Sequence, residues 1–356
     1  MKTESIWRSS DLSWLQELGW SRYGLARLEV PLSIQHYDDW LRLGLHGEMD
    51  YLVRHRDQKA NPKLYSNHLR SALVMAIDYV AQEEVPSALP LKGLKSALYT
   101  KSESGIADYH RALPERLQPV LNRLSNQHPG EEFRLVTDSA PVLERDLARR
   151  AGLGWVGKNT CIIDRKGGSL FFLVEILSSL DTVTAAPLPT DHCGNCTRCL
   201  DACPTGALIA PRTLDARKCI SYLTIESKQM PAVELRGAMG EWFFGCDICQ
   251  TVCPWNQKRW GEILTESPRS EPTERDQTLA DLRWILKSSY SQIEKAFRST
   301  SLSRARGRGL KRNALIVVGN GGYSELIPEV SLLAQASTDL ELQELAEWAL
   351  RKINPS

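Results

Sequence analysis

The pattern of hydrophobic and polar positions predicts alternating helices and strands in the first half of the chain. The N-terminal segment has mixed helical patterning. The apolar runs SALVMAIDYV (71–80) and SLFFLVEIL (169–177) have the length and composition of buried strands. Helices that alternate with strands predict an α/β domain over residues 1–188.

The segment DSAPVLERDLARRAGLGW has the pattern of a helix. Asp138 or Ser139 can cap its N terminus, Pro141 suits its first turn, and Gly152 can end it. We therefore expect a helix between these residues. A glycine-rich turn, GLGWVGKNT (152–160), follows it.

Apolar residues recur at helical spacing over residues 275–356, with short turns between the segments. These segments are LKRNALIVVGNGG (310–322), LIPEVSLLAQA (326–336) and LQELAEWALRKI (342–353). We predict an all-α region with HEAT-like helix pairs. The proline-bearing segment SPRSEPTERDQ (267–277) predicts a boundary before it, and TAAPLPTD (184–191) predicts a linker out of the α/β domain.

Composition limits the classes of partner. The 356-residue chain has 44 basic and 43 acidic residues, which nearly cancel. This balance excludes a chain that is basic throughout, so any contact with nucleic acid must come from a local patch. The chain starts without a signal-peptide pattern and has no run of about 18 apolar residues. We therefore expect a cytoplasmic protein that does not associate with a membrane.

Eight of the nine cysteines fall in one segment, which we assign to a ferredoxin-like module over residues 189–258. In a reducing compartment such clustering favours a metal site over disulfides. The first four have the spacing C-x2-C-x2-C-x3-C and precede a proline: Cys193, Cys196, Cys199 and Cys203. This is the run of bacterial ferredoxins, in which three thiolates bind one iron-sulfur cluster and the fourth binds a second cluster.

A second, shorter run supplies the ligands that the first run lacks. Its cysteines have the spacing C-x2-C-x3-C and again precede a proline: Cys246, Cys249 and Cys253. A full run would have a cysteine at the position of Phe243, and Cys219 is the spare cysteine inside the module. We therefore predict two 4Fe-4S clusters. Their ligands are Cys193, Cys196, Cys199 and Cys253 for one, and Cys203, Cys219, Cys246 and Cys249 for the other.

Two alternatives accompany this prediction. Pairs of C-x2-C also build zinc sites, although zinc usually takes two such pairs separated by a loop. Cys161 lies outside the module and is interpreted as a small buried hydrophobic residue. Two clusters form an electron path, but they do not identify the acceptor, so the remaining domains must bind it.

Several motifs together resemble one family, the epoxyqueuosine reductases. They are HGEMDYL (46–52), DYH (108–110), VTDSAPVLER (136–145), GLGWVGKNT (152–160), the cysteine module and RNALIVVGN (312–320). They follow one another in family order and cover most of the chain. The segment KSESGIA (101–107) departs from the shorter form expected in the family.

The resemblance implies a reaction and its cofactors. A cobalamin is expected in the α/β domain beside two 4Fe-4S clusters. The substrate is expected to be a tRNA whose wobble base, in the anticodon, carries an epoxide. Its reduction to the alkene of queuosine is the last biosynthetic step. The resemblance also implies a low-potential electron donor, and we expect a monomer.

The resemblance also implies roles for individual residues. Asp138 matches the proposed proton donor, and burial should raise its pKa for that role. His110 would hydrogen-bond the reacting oxygen or support Asp138, and Tyr109 lies in the same motif. Without the resemblance, Asp138 is interpreted as a helix cap and His110 as structural.

Further candidates would bind cobalamin or tRNA. The expected cobalamin contacts are Gly157, Lys158, Asn159, Thr160 and Ser169. A P-loop is excluded because Asn159 stands where Ser or Thr should bind magnesium. The run RARGRGLKR supplies the expected phosphate contacts Arg304, Arg306, Arg308, Lys311 and Arg312.

Two other functions remain open from the sequence. One is a cobalamin enzyme that resembles reductive dehalogenases and acts on a small molecule. The other is a non-catalytic electron carrier, which requires only the cysteine module.

Overall fold

The structure is a computed structural model that describes residues 6–79, 93–101, 108–182, 187–265 and 272–354. Parts of KSESGIA, TAAPLPTD and SPRSEPTERDQ lie outside these ranges. The strands are β1 (Ile6–Trp7), β2 (Tyr23–Arg27), β3 (Ser71–Asp78), β4 (Lys95–Ser96), β5 (Phe133–Val136), β6 (Trp155–Val156), β7 (Ile162–Ile163), β8 (Phe171–Ser178), β9 (Asp181–Thr182), β10 (Leu208–Ala210), β11 (Thr213–Leu214) and β12 (Trp242–Phe244).

The first helices belong to the α/β part: α1 (Trp14–Glu17), α2 (Ile34–Arg42), α3 (Asp50–Arg54), α4 (Arg56–Ala60), α5 (Tyr109–Gln127) and α6 (Glu144–Arg150). The cysteine module contains α7 (Arg198–Asp201), α8 (Ile220–Ile225), α9 (Val233–Arg236), α10 (Ile248–Thr251) and α11 (Pro254–Thr265). The C-terminal helices are α12 (Pro272–Lys287), α13 (Tyr290–Phe297), α14 (Arg306–Gly321), α15 (Ile327–Ala336) and α16 (Leu340–Ile353).

A four-stranded antiparallel sheet organises the described N-terminal part, in the order β2-β3-β8-β5. The two apolar runs predicted as strands are confirmed as its inner strands, β3 and β8. Side chains at Leu73, Met75 and Ile77 pack with α5 on one face. The alternate side chains of β3 pack with α6 on the other face. Both runs are mainly apolar because helices cover both faces of the sheet, and Glu175 of β8 is a buried exception.

Helix α6 begins later than the sequence predicted. It starts at Glu144, and residues 137–143 form an irregular loop. Asp138 cannot act as its cap because Asp138 has a positive φ of 43° and its side chain hydrogen-bonds elsewhere. The predicted end is confirmed, since α6 stops at Arg150 and Gly152 follows in the left-handed region at φ 81°.

The cysteine module is joined to both of its neighbours. Its strand β12 pairs in parallel with β4 of the N-terminal part. Phe243, at the position where a ferredoxin run would have a cysteine, is 1% exposed. It belongs to a hydrophobic core that also contains residues of α8, α14 and α16. The C-terminal helices therefore share a core with the cluster module, and the predicted division into separate domains stays a prediction.

The C-terminal region is helical, as predicted. Helix α14 is buried over most of its length and packs against α12, α13 and α16. Gly322 ends it in the left-handed conformation at φ 63°, and the Asp339 side chain caps the start of α16. Among the described residues, no helix is long and apolar enough to cross a membrane.

Candidate active site and cluster cavity

A pocket of about 270 Å³ opens at one edge of the central sheet. At this edge β3 and β5 end and β8 begins, because the strands are antiparallel. Asp138 follows β5, and Tyr109 begins α5. Aromatic rings form much of the wall, and the Tyr109 ring stacks on Phe172 at 4.6 Å between centroids. The pocket therefore has an apolar wall with a carboxyl group at its edge.

The structure brings together the three residues predicted as catalytic. His110 Nε2 lies 2.5 Å from Asp138 Oδ1, and the Tyr109 hydroxyl donates to Asp138 Oδ2. On its other side, His110 Nδ1 lies 2.5 Å from Asp108 Oδ1. Asp108 also caps α5 by accepting from the His110 backbone N–H. His110 thus lies between two carboxylates.

Arg304 reaches the same site from the C-terminal region. One of its guanidinium nitrogens lies 2.6 Å from His110 Nε2 and 3.5 Å from Asp138 Oδ1. The sequence grouped Arg304 with a tRNA-binding run and did not place it in the active site. A basic residue so far along the chain carries no local signal that links it to Asp138.

The protonation pattern differs from the expectation. Burial raises the pKa of Asp138, but the hydrogen bonds from His110 and Tyr109 and the charge of Arg304 outweigh burial and bring the pKa below its usual value. Burial lowers the pKa of His110, but its bonds to Asp108 and Asp138 outweigh burial and raise the pKa to about 9. The expectation of a raised Asp138 pKa is therefore wrong for this structure. At neutral pH the proton belongs to His110.

One predicted cluster site is visible as a cavity of about 220 Å³. All four thiols of the first predicted tetrad line it: Cys193, Cys196, Cys199 and Cys253. Trp155 Nε1 donates to Cys193 Sγ at 3.4 Å, and the rings of Trp155, His192 and Trp255 pack against one another beside it. Within the described ranges, no three Cys, His or carboxylate side chains lie close enough to hold one metal ion.

The second predicted tetrad is also grouped in space. Burial, together with the nearby thiols of Cys219 and Cys203, raises the pKa of Cys246 to about 12. Burial raises the pKa of Cys249 as well, with Cys219 and Cys246 among its neighbours. These thiols are protonated at neutral pH without metal, so cluster assembly must release protons. The assignment of each thiol to a cluster stays a prediction.

Cys161 lies between the pocket of Asp138 and the second predicted tetrad. It lines the pocket of Asp138, and it is an electrostatic neighbour of Cys249. Burial raises the pKa of Cys161 to about 12, so it remains a neutral thiol. The residue is half-buried at the border of the pocket, so its interpretation as a small buried residue stays a prediction.

The glycine-rich turn supports the cysteine loops. Lys158 Nζ donates to the carbonyls of Gly194 and Cys196, and both Lys158 and Asn159 line the cluster cavity. Asn159 Nδ2 donates to the carbonyl of Cys249 at 3.2 Å. These side chains bind the cluster loops, and cobalamin contact by Lys158 and Asn159 stays a prediction.

The other expected cobalamin contacts lie nearer the pocket or beside it. Ser169 lines the pocket, and its hydroxyl donates to Gln250 Oε1 at 2.9 Å. The Thr160 carbonyl accepts from Arg145, which also lines the pocket. Gly157 packs so closely on Ile163 that a Cβ would lie 2.4 Å from its Cδ1. Cobalamin contact by Gly157, Thr160 and Ser169 stays a prediction.

The predicted phosphate-binding run is largely internal. Arg312 is 1% exposed and donates to the carbonyls of Leu223, Ser227 and Gln229. Lys311 is 7% exposed and donates to the carbonyl of Ser288. These two residues are corrected to structural roles, because buried cations that serve backbone carbonyls cannot reach phosphate.

The remaining members of the run differ from one another. Arg308 pairs with Asp339 at 2.6 Å and with Glu341 at 2.5 Å, so its charge is largely compensated. Arg306 is exposed. Contact with tRNA by Arg304, Arg306 and Arg308 stays a prediction.

Two family models match the chain. Residues 192–256 match the model described as "4Fe-4S double cluster binding domain", and residues 59–139 match "Epoxyqueuosine reductase QueG, DUF1730". The first match confirms the prediction of two clusters over the alternative of zinc.

Relatives cover nearly the whole chain. The epoxyqueuosine reductase of Pseudomonas aeruginosa is 37% identical over 342 residues, which cover 95% of this chain and 92% of the relative. A solved epoxyqueuosine reductase from Bacillus subtilis, described with its catalytic aspartate loop swung out of the active site, is 26% identical with a TM-score of 0.76 and covers 97% of this chain and 90% of its own. A solved epoxyqueuosine reductase with an epoxyqueuosine-modified tRNA stem loop is 27% identical with a TM-score of 0.75 and covers 97% of this chain and 89% of its own. The chain therefore belongs to the epoxyqueuosine reductase family.

Proposed function

We propose that this chain reduces the epoxide of epoxyqueuosine at the wobble position of tRNA to the alkene of queuosine, the last step of queuosine biosynthesis. The observation that carries the proposal is the pocket in which Asp138, His110 and Tyr109 meet beside a two-cluster module. The family relationship and the tRNA stem loop held by a relative support the same substrate.

The reaction requires electrons as well as protons. An epoxide, two electrons and two protons give an alkene and water. We propose cobalamin as the resident cofactor; when bound, it supplies a strongly reducing, nucleophilic cobalt for cleavage of the carbon–oxygen bond. The pocket residues fit this group, because Tyr79, Phe171 and Phe172 offer an apolar wall to a macrocycle. Ser169 and Arg145 offer polar groups to its amide side chains.

The protein's own residues manage the proton. Negative charge develops on the oxygen when the carbon–oxygen bond breaks, so a proton must reach that atom. The pKa of His110, raised to about 9, favours a protonated ring, and its Nε2 lies 2.5 Å from Asp138 Oδ1. We propose that Asp138 receives this proton and transfers it to the oxygen, while Tyr109 keeps the carboxyl group oriented. The Arg304 guanidinium, 3.5 Å from Asp138, stabilises the remaining negative charge.

Electrons are proposed to reach the pocket through the second tetrad. Cys249 belongs to that tetrad and neighbours Cys161, which lines the pocket. The cavity of the first tetrad is bordered by the exposed Arg198, so the first cluster is the proposed entry point for a low-potential donor. We also propose a cytoplasmic monomer, in keeping with a tRNA substrate and with thiolate ligands that need a reducing compartment.

The proposal is tested by anaerobic reconstitution with iron, sulfide and cobalamin. The loaded protein is incubated with epoxyqueuosine-containing tRNA and a strong reductant, and the nucleosides are analysed. Conversion to queuosine is expected. Asp138→Asn, which keeps the shape of the side chain, should retain both clusters and lose about 100-fold or more in rate. A fully loaded wild-type protein that converts no tRNA would refute the proposed function and favour the electron-carrier or dehalogenase-like alternative.

A further inference from the structure

Two neighbouring carboxyl groups lie behind the pocket, in addition to the carboxyl group of the proposed proton donor. Glu175 occupies the central strand β8, opposite Val74 of β3 and Val136 of β5, and is 0% exposed. Within the described residues neither of its carboxyl oxygens has a hydrogen-bond donor. Its neighbour is the carboxyl group of Glu144, the first residue of α6. A buried carboxylate without a donor is costly, so this pair requires an explanation.

Glu144 also contacts the loop that carries Asp138. Its Oε1 accepts the backbone N–H of Asp138, which has the left-handed φ of 43°. An aspartate in this conformation needs support from its surroundings. Glu144 therefore connects the buried Glu175 to the backbone at the proposed proton donor.

We propose that Glu144 and Glu175 share one proton, and that this shared proton holds the Asp138 loop in its active position. Both residues are positioning residues, since they act on the reaction through Asp138. The inference rests on the proposed function, in which Asp138 transfers a proton to the substrate. It also offers a cause for loop movement in this chain, since a relative is described with its catalytic aspartate loop swung out.

The chemistry of the pair explains why one proton is needed. Two ionised carboxylates are both acceptors and cannot hydrogen-bond each other, whereas one proton lets one of them donate. Burial and the charge of Asp138 together raise the pKa of Glu144 to about 7. Lys59 and Arg145 face the same group and oppose this rise. Burial likewise raises the pKa of Glu175.

Loss of the shared proton would release the loop. Glu144 loses its proton at a pH of about 7, and Glu175, whose pKa is raised well above its usual value, then holds the one shared proton. When this last proton leaves at higher pH, the two carboxylates would repel each other, with the Asp138 carboxylate close by. Glu175 cannot move away, because it is enclosed in the central sheet. Glu144 borders the pocket and can turn toward Lys59 and Arg145, which leaves the Asp138 N–H without its acceptor. The loop would then leave its active position.

Hydrogen exchange of the apo protein tests the contact without requiring turnover. Glu144→Ala should lower the protection factor of the Asp138 amide about tenfold, which corresponds to about 1.4 kcal/mol and to the net worth of one hydrogen bond. Glu144→Gln keeps an acceptor oxygen and should restore protection to within about twofold of wild type. Glu115→Gln removes an exposed carboxylate from α5 and serves as the matched control. Wild-type protection of this amide in Glu144→Ala would overturn the proposal.

The pH dependence tests the shared proton. Wild-type protection of Asp138 and single-turnover kcat should both decline with a midpoint at the pH where the pair loses its last proton, which lies above the value of about 7 at which Glu144 ionises, with little change in KM for tRNA. Glu175→Gln removes the repelling charge and should keep both quantities high about one pH unit above that midpoint. The same decline in Glu175→Gln as in wild type would refute proton sharing. A wild-type preparation that converts no tRNA would count against the proposed function but not against proton sharing. The protection factors are measured without turnover, so they still show whether the Glu144–Glu175 pair holds the Asp138 loop.

Discussion

Replacement of Asp138 by Asn should lower the pKa of His110 by roughly one unit. In the wild-type protein this pKa is raised from 6.5 to about 9, although burial and the charge of Arg304 both lower it. Asp108 and Asp138 carry the rise, each at 2.5 Å from a ring nitrogen. Asn at position 138 keeps an oxygen acceptor but removes one of the two charges.

The size of the expected decrease follows from the rise of the His110 pKa in the wild-type protein. A rise from 6.5 to about 9 corresponds to about 3 kcal/mol in favour of the imidazolium form. The two carboxylates share this preference, so the loss of one should remove roughly 1 to 2 kcal/mol of it. Because the folded pKa exceeds the unfolded one, the pair stabilises the fold fully below about pH 6.5. That stabilisation disappears as pH rises through about 9.

The assay is an NMR titration of the histidine rings in the apo protein. The chain has seven histidines, and the spectrum of His110→Gln identifies the resonance of His110. Asp108→Asn should lower the pKa of His110 by a similar amount, and Glu115→Gln should leave it unchanged. Activity is best followed in the Glu175→Gln background, where the decline attributed to the Glu144–Glu175 pair is expected to be absent.

Two results would contradict the reasoning. A wild-type His110 that titrates near 6.5 would mean that the ring is not held between two charged carboxylates. A His110 that still titrates near 9 in Asp138→Asn would mean that Asp138 does not share its proton. Either result would transfer the proton-donating role to another group in the pocket.

The remaining predictions concern the clusters and the basic run. Cys219→Ser should remove one cluster and about half of the iron, while Cys161→Ser should keep the full iron content; equal iron in both variants would contradict the assignment of ligands. Arg312→Met should lower the free energy of unfolding by at least about 3 kcal/mol, because three buried backbone carbonyls lose their donor; a denaturant midpoint close to that of wild type would refute this. Arg306→Ala should reduce the slope of log affinity for tRNA against log salt by about 0.7 to 0.9 with little change in stability, and an unchanged slope would remove Arg306 from the tRNA-binding surface.

Local patterns determined the features that depend on neighbouring residues. The spacing of the cysteines predicted two clusters because thiolates a few residues apart in a loop can bind one cluster. The two apolar runs predicted β3 and β8 because burial on both faces favours apolar side chains, although Glu175 is buried within β8. Gly152 marked the end of α6 because glycine adopts the left-handed conformation without a steric penalty.

Local sequence patterns did not predict contacts in which a side chain binds a residue that is distant in sequence. The start of α6 was misplaced because the Asp138 side chain binds Tyr109 and His110, which precede it by 29 and 28 residues, in place of the helix N terminus. The sequence also showed no sign that Lys158 binds the carbonyls of Gly194 and Cys196, which lie 36 and 38 residues further along.

The charged residues show most clearly which features the sequence determines and which features depend on the tertiary structure. The sequence by itself determined that a basic run exists at 304–312, and it determined the cluster module and the helical character of the C-terminal region. Only the tertiary structure decided that Arg312 is buried, that Arg304 reaches Asp138 across 166 residues, and that Glu175 meets Glu144. The physical reason is that burial and electrostatic partners depend on which segments pack together, and that packing is a property of the whole chain.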